Sequence, residues 1–410
     1  MRISTNTIFE TGTNQLGTLQ GQIARTQLQL STNRRILTPS DDPVASARAL
    51  EVTQSQSVNT QYATNRQNAR SSLAHVEQAL ASTTSLIHDI KTLTVSAGNG
   101  TLLPADRQSL TIELKGRLND LLGVANTADG VGGYLFSGYS AGSAPFTLTE
   151  GGADYHGDQG IRKLQVASSR NVAISDSGSS VFENIPTGNG TFQTSAAGAN
   201  TGGGVVSSGT ISDAAALTGH EYKIDFTVSG TPAQTTYTVT DVSRAGETPV
   251  PPPVALDVPF ESGKQIKFDG VVFDIAGAPA NGDVFSVKPS EKQSIFTTLS
   301  QLIDTLALPA GGAGQAALTN GLNMAHDNLD AALENVLSVR AGVGASLKEL
   351  DYLDEAGTDR NIQYAATLSD LQDLDLVKTI SLFAQQQMTL EASQKSFKSL
   401  SGLSLFNYIG

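Results

Sequence analysis

The chain has 410 residues, a formal net charge of −13, 40 glycines, no tryptophan and no cysteine. That length suits about two or three domains of about 150 residues each, and the acidic balance argues against a binder of phosphate backbones. The missing cysteine excludes disulfides, iron–sulfur clusters, thiolate zinc sites and cysteine nucleophiles together.

No apolar run approaches the ~18 residues that a membrane helix needs, so no membrane partner is expected. Met1-Arg2-Ile3-Ser4-Thr5-Asn6 lacks the apolar core of a cleavable secretory leader.

Taken in chain order, the first element is a helix with apolar or small residues three and four apart: Phe9, Gly12, Leu16, Leu19, Ile23, Thr26 and Leu30. It is followed by Pro39-Ser40-Asp41-Asp42-Pro43. Asp42 is placed to cap the first amides of a second helix, and Pro43 suits its first position, where no N–H partner is needed. No glycine falls between Gln22 and Ala97 and no proline between Val44 and Leu103, so this helix runs unbroken to about Gly98-Asn99-Gly100. Its seam reads Leu73, Val76, Leu80, Thr83, Ile87, Ile90, Thr94 and Ala97. A third helix is predicted from about Pro104 to Asp129, with Leu110, Leu114, Leu118, Leu121 and Ala125 on one face.

The middle of the chain is rich in Gly, Ser, Thr and Asn and includes a stiff Pro249–Pro253 spacer. Strands are predicted where polar and apolar residues alternate: 220–228, 235–242 and 264–268. Val271–Ile275 and Val284–Val287 read as a further pair joined by a turn around Gly277–Gly282. Of the 23 aromatic residues, 15 lie between Tyr134 and Phe296, as expected where a β region packs with rings.

Helical spacing resumes with Leu318, Leu322, Ala325, Leu329, Ala332, Val336, Val339 and Val343. The last seam is predicted as Leu376, Ile380, Phe383, Gln387, Leu390, Gln394 and Phe397. The fold class is therefore α+β: a long coiled-coil or helical-bundle rod built from both termini, with an inserted, mainly β outer domain. The expected division is 1–42 with 376–410 as a terminal coiled-coil assembly domain, 43–140 with 294–375 as a helical rod domain, and 141–293 as the insertion. Residues 1–70 hold seven arginines against four acids, and residues 351–410 hold eight acids against four bases, which favours pairing of the two ends.

No catalytic or metal constellation stands out, and neither a cofactor nor enzymatic activity is expected. The five histidines are scattered, and none forms the i, i+4 pair of a helical zinc site. Asp154-Tyr155-His156-Gly157-Asp158 reads as a surface turn, and Gly202-Gly203-Gly204 lacks the Lys-Ser/Thr of a phosphate loop. The candidate functional residues are instead those of the terminal seams: Phe9, Leu16, Leu19, Ile23 and Leu30, with Leu376, Ile380, Phe383, Leu390 and Phe397. Chain ends usually fray, so two long seams at the extremities point to surfaces ordered by assembly with further copies of the chain.

Leu37-Thr38-Pro39-Ser40-Asp41-Asp42-Pro43-Val44 resembles the N-terminal signature of flagellar hook-associated proteins of the hook–filament junction, within the flagellin family. Ala97-Gly98-Asn99-Gly100-Thr101-Leu102 with Asp106-Arg107, and Gly133-Tyr134-Leu135-Phe136-Ser137-Gly138-Tyr139, are similar to the same family. So are Gly277–Asp283, Gln293-Ser294-Ile295-Phe296, Arg340-Ala341-Gly342-Val343-Gly344-Ala345 and the ending Leu403-Ser404-Leu405-Phe406-Asn407-Tyr408. The resemblance implies a secreted structural protein of the bacterial flagellum, exported unfolded and self-associating into a ring through its terminal helices. It implies as partners the first hook-associated protein, flagellin, and a cytoplasmic export chaperone on the C-terminal helix. A filament flagellin is the alternative, and an adhesin displayed on a helical stalk is a more distant one.

Overall fold

The computed structural model describes residues 5–130, 132–140, 142–247, 252–308 and 313–402. Met1–Ser4, the Pro249–Pro251 part of the proline spacer and the Leu403–Tyr408 ending lie outside the described residues. Among the described residues there are six α-helices: α1 Thr5–Thr32, α2 Pro43–Ala97, α3 Pro104–Ala125, α4 Ile295–Leu306, α5 Ala313–Gln372 and α6 Leu376–Gly402. The strands lie between α3 and α4. The predicted α+β class, with helices from both termini and an inserted β-rich region, is the observed one.

Helix starts follow from local chemistry. Pro43 opens α2, and the Ala45 N–H donates to Asp42 Oδ1 at 3.0 Å, so Asp42 caps as the sequence predicts. Pro104 opens α3, where the Leu103 N–H donates to Asp106 Oδ2 at 3.0 Å. Ser294 caps α4 by accepting from the Phe296 N–H.

The chain divides into two compact units, residues 1–64 with 352–410 and residues 65–351, and the division falls inside the continuous helices α2 and α5. In the larger unit, α2 and α5 run antiparallel. Three ion pairs fix their register: Arg70–Asp351, Glu77–Arg340 and Lys91–Asp330. All eight predicted seam residues of α2, Leu73 to Ala97, are buried, as are Leu318, Leu322, Ala325, Leu329, Ala332, Val336 and Val343 of α5.

The β-rich region of this unit holds a five-stranded antiparallel sheet in the order Ala255–Pro259, Gln234–Asp241, Tyr222–Ser229, Val284–Pro289, Phe192–Ala196. A smaller sheet orders Gln265–Phe268, Val271–Ala276 and Val205–Val206. Together they enclose one core that includes Phe192, Tyr222, Ile224, Phe226, Phe273 and Phe285. Short strands at 146–149 and 152–155 lie against α3 and α4, and a separate hairpin at 163–167 and 170–173 meets α2 through Arg66 and α5 through the Arg170–Glu349 pair; the alternation rule reaches neither. In the first of these pairs Phe146 stacks on Phe296 of α4 at 5.1 Å between ring centroids and meets Phe182 edge-on at 5.6 Å.

One predicted pairing is corrected. Val271–Ile275 and Val284–Val287 are strands, but they belong to different sheets. The connecting segment crosses between the sheets. Buried Asp283 accepts hydrogen bonds from the N–H groups of Thr201, Gly202 and Ala280 at 2.8–3.1 Å, holding the crossing in place. Gly277 has φ +96°, and a Cβ there would lie 2.2 Å from the Gly203 carbonyl oxygen. A hairpin turn between the two strands is replaced by this bracing against residues 201–203.

Candidate functional site

In the smaller unit, α1 and α6 pack against one another, antiparallel. The α1 side of the seam is the predicted one: Gly12, Leu16, Leu19, Ile23 and Leu30 are half-buried, and Thr26 is buried at 4% exposure. Phe9 stacks on Phe397 with centroids 5.0 Å apart, although half of Phe9 stays exposed. Gly12 is required by this packing: a Cβ there would lie 2.7 Å from the Phe397 ring. The Thr26 hydroxyl lies between the Gln22 carbonyl at 3.0 Å and Gln386 Oε1 at 2.9 Å, giving the seam a polar tie.

The α6 side differs in phase. Phe383, Leu390 and Phe397 are half-buried in the seam as predicted, but the residues between them are Thr379, Gln386 and Ser393 rather than Ile380, Gln387 and Gln394. The two sets sit one residue apart, about 100° around a helix. Small Thr379 is buried to 8% exposure. Leu376 and Ile380 therefore lie outside the internal seam, 47% and 56% exposed, with Val377 at 78% and Met388 at 65%. Those apolar side chains are left facing solvent.

The helix-start signature forms a brace. Asn33, with φ +52°, ends α1, and the Arg34 N–H reaches back to the Gln29 carbonyl, a helix-terminating geometry that asparagine tolerates. Asp41 accepts from the Leu37 and Thr38 N–H groups at 3.0 Å each and pairs with Arg25 of α1. Those backbone donors, from Thr38 first, hold its carboxyl below the usual Asp value. Asp42 is lowered mainly by the Ala45 N–H and also pairs with Arg35 at 3.2 Å. Pro39 and Ser40 are exposed, with the Ser40 and Thr38 hydroxyls 2.8 Å apart, and Pro43 is the first residue of α2.

The brace reaches the junction of α5 and α6. The Arg35 N–H donates to the Gln372 carbonyl at 2.8 Å, its guanidinium donates to the Leu371 carbonyl at 2.7 Å, and the backbones of Arg34 and Asp373 lie opposite one another in an isolated antiparallel bridge. Asp375 caps α6 by accepting from the Lys378 N–H at 3.0 Å. Both helix turns are thus tied together beside the α1–α6 pair. Arg25, Arg35, Thr379 and Gln386 escape the hydrophobic pattern; the basic excess of the first 70 residues is the one sequence signal that points toward the arginines.

No group of three or more His, Asp or Glu residues is placed to hold a metal among the described residues, and no helix there is long and apolar enough to cross a membrane.

Residues 3–141 match the bacterial flagellin N-terminal helical region, and residues 195–289 match the D2-like domain of flagellar hook-associated protein 1. The chain is 29% identical over 408 residues to flagellar hook-associated protein 3 of Salmonella typhimurium, covering 99% of both. It is similar to the crystal structure of flagellar hook-associated protein 3 from Legionella pneumophila, at 32% identity and a TM-score of 0.73, covering 78% of this chain and 98% of that one. A crystal structure of the flagellar junction protein FlgL from Legionella pneumophila, at 32% identity and a TM-score of 0.69, covers 80% of this chain and 100% of that one. The chain belongs to the flagellar hook-associated protein 3 (FlgL) family of flagellar junction proteins.

Proposed function

We propose that this chain is the structural adaptor between hook and filament of a bacterial flagellum, lying between the first hook-associated protein and the flagellin filament as an extracellular component. It leaves the cell unfolded and self-associates into a ring through α1 and α6. A cytoplasmic chaperone holds α6 until export. The three-part division, with 1–42 and 376–410 as the assembly domain, 43–140 and 294–375 as the helical wall and 141–293 as the outer insertion, belongs to the same reading.

The observation that carries it is the α1–α6 pair: its seam is closed by half-buried and polar residues, while Leu376, Val377, Ile380 and Met388 stay exposed. A chain without cysteines passes through a pore without a disulfide to form or break. Once at the tip, burial of apolar helix surface at about 25 cal/mol per Å² offsets the ordering entropy only when neighbours are present.

A strain that lacks the chain tests this: hooks remain in place and flagellin is released into the medium. Normal filaments in that strain contradict the adaptor role.

A further inference from the structure

We propose that Asn99 is a self-modification site: the backbone nitrogen of Gly100 attacks its carboxamide, and the turn between α2 and α3 acquires an aspartate or isoaspartate. The chain holds four Asn-Gly pairs, Asn99-Gly100, Asn189-Gly190, Asn281-Gly282 and Asn320-Gly321. Glycine suits the reaction because it has no side chain to crowd the five-membered ring that forms. Two groups then decide whether the ring closes. The glycine N–H must be free to lose its proton and reach Cγ, and the carboxamide nitrogen must be free to leave.

Three of the pairs are held. The Gly190 N–H donates to the Thr187 carbonyl at 3.2 Å, and the Gly282 N–H donates to the Phe226 carbonyl at 2.9 Å. Gly321 lies inside the continuous helix α5. Both ends of the Asn320 carboxamide are tied, Oδ1 accepting from the Val206 N–H at 2.9 Å and Nδ2 donating to the Gly204 carbonyl at 3.0 Å.

Asn99-Gly100 differs on each count. Both residues are exposed, and neither the Gly100 N–H nor Asn99 Nδ2 has a hydrogen-bond partner among the described residues. A Cβ at Gly100 would meet nothing within 4 Å there, so the turn has room for the ring. Asn99 Oδ1 accepts from the Thr101 N–H at 3.1 Å and from the Thr101 hydroxyl at 2.8 Å. This turn folds the carboxamide back over the Gly100 peptide. Its two donors also meet the oxygen on which charge develops when Cγ is attacked. Asn189 repeats the Asn-Gly-Thr sequence and accepts from the Thr191 N–H at 3.0 Å, but its Nδ2 donates to the Gly209 carbonyl at 3.3 Å. The same tripeptide is thus poised at 99–101 and held at 189–191.

In the first step the Gly100 N–H gives its proton to water and the N–Cγ bond forms. The Cγ–Nδ2 bond breaks, and ammonia leaves with a proton taken back from water. Water then opens the resulting succinimide at either carbonyl. Breaking the new Cγ–N bond leaves aspartate; breaking the backbone C–N bond leaves isoaspartate, whose chain runs through Cγ. Nothing is oxidised or reduced. Either product sets a carboxylate just beyond the C-terminus of α2, where the helix dipole disfavours it. In isoaspartate the Asn99 carbonyl that accepts from the Leu102 N–H at 3.1 Å becomes that carboxylate.

Trypsin places the four pairs in separate peptides, 92–107, 171–223, 268–292 and 293–340. Full-length protein is aged in mildly alkaline buffer, folded or in denaturant, and the peptides are then weighed and separated. In the folded chain peptide 92–107 is expected to convert several-fold faster than the other three, read as the mass gain of amide to acid with distinct aspartate and isoaspartate peaks. In denaturant the four rates converge. Thr101→Val, which keeps the N–H donor and removes the hydroxyl, slows peptide 92–107 alone, and Thr101→Ser restores it. Asn99 that stays intact in the folded chain while it converts in denaturant, or that converts no faster than the other three, overturns the proposal. An unchanged rate in Thr101→Val overturns the part given to its hydroxyl.

Discussion

The eight seam residues of α2 from Leu73 to Ala97 are all buried, whereas in the α1 seam from Phe9 to Leu30 only Thr26 is. The spacing is the same in both helices; the enclosure differs. Residues 73–97 lie in a unit where α5 crosses them with matched ion pairs and where α3, α4 and a β region add further core. α1 and α6 form a two-helix pair, and two helices alone bury one stripe each. A heptad pattern therefore shows that a helix has a partner face without showing whether the chain supplies the whole partner.

The comparison breaks most sharply if the two seams respond alike to damage. Leu80, fully buried in α2, should cost about 2–5 kcal/mol when cut to alanine, read as a large fall in the melting temperature of the free protein. Leu390→Asp, in the half-buried terminal seam, should leave that melting transition nearly in place while abolishing incorporation into flagella. A large loss of melting temperature from Leu390→Asp would make the two seams equivalent.

A smaller effect sharpens the geometry of the pair. Gly12→Val forces a side chain into the Phe397 ring and should weaken the α1–α6 contact by about 1–3 kcal/mol, the range for overpacked sites. Faster protease cutting within 5–32 and 376–402, with the 65–351 unit unchanged, is the expected readout.

The smallest effect is electrostatic. Asp41 and Asp42 have carboxyls lowered in the folded state by backbone N–H groups, so each contributes stability that is present above the ordinary Asp value. That contribution is lost as the pH falls through their lowered values. Acid should loosen the turn between α1 and α2 before the larger unit unfolds, followed as new cutting by an acid-active protease, pepsin, within residues 33–42. Asp41→Asn with Asp42→Asn should flatten this acid dependence.

Much of the helical architecture is legible in the sequence because Gly and Pro mark the breaks and leucine-type residues mark the faces. The Asp42–Pro43 start and the α1 seam are read residue by residue. The α6 seam is read one position out because hydrophobicity favours Ile380, whereas close packing against α1 selects the small Thr379 and the hydrogen-bonding Gln386. The strand pairing of 271–275 with 284–287 fails for a different reason. Glycines at 277 and 282 look like a hairpin turn, and nothing local reveals that Asp283 is gripped by residues 201 and 202, some eighty positions earlier. The Arg35 contacts to Leu371 and Gln372 are equally invisible, since they depend on backbone carbonyls more than 300 residues away.

Amide hydrogen exchange, compared between dilute free protein and isolated flagella, tests most directly whether neighbouring copies complete the terminal helices. The account predicts fast exchange across 5–32 and 376–402 in the free chain, slow exchange there once assembled, and slow exchange across 73–97 in both. Equal and strong protection of the terminal helices in the free chain would contradict it.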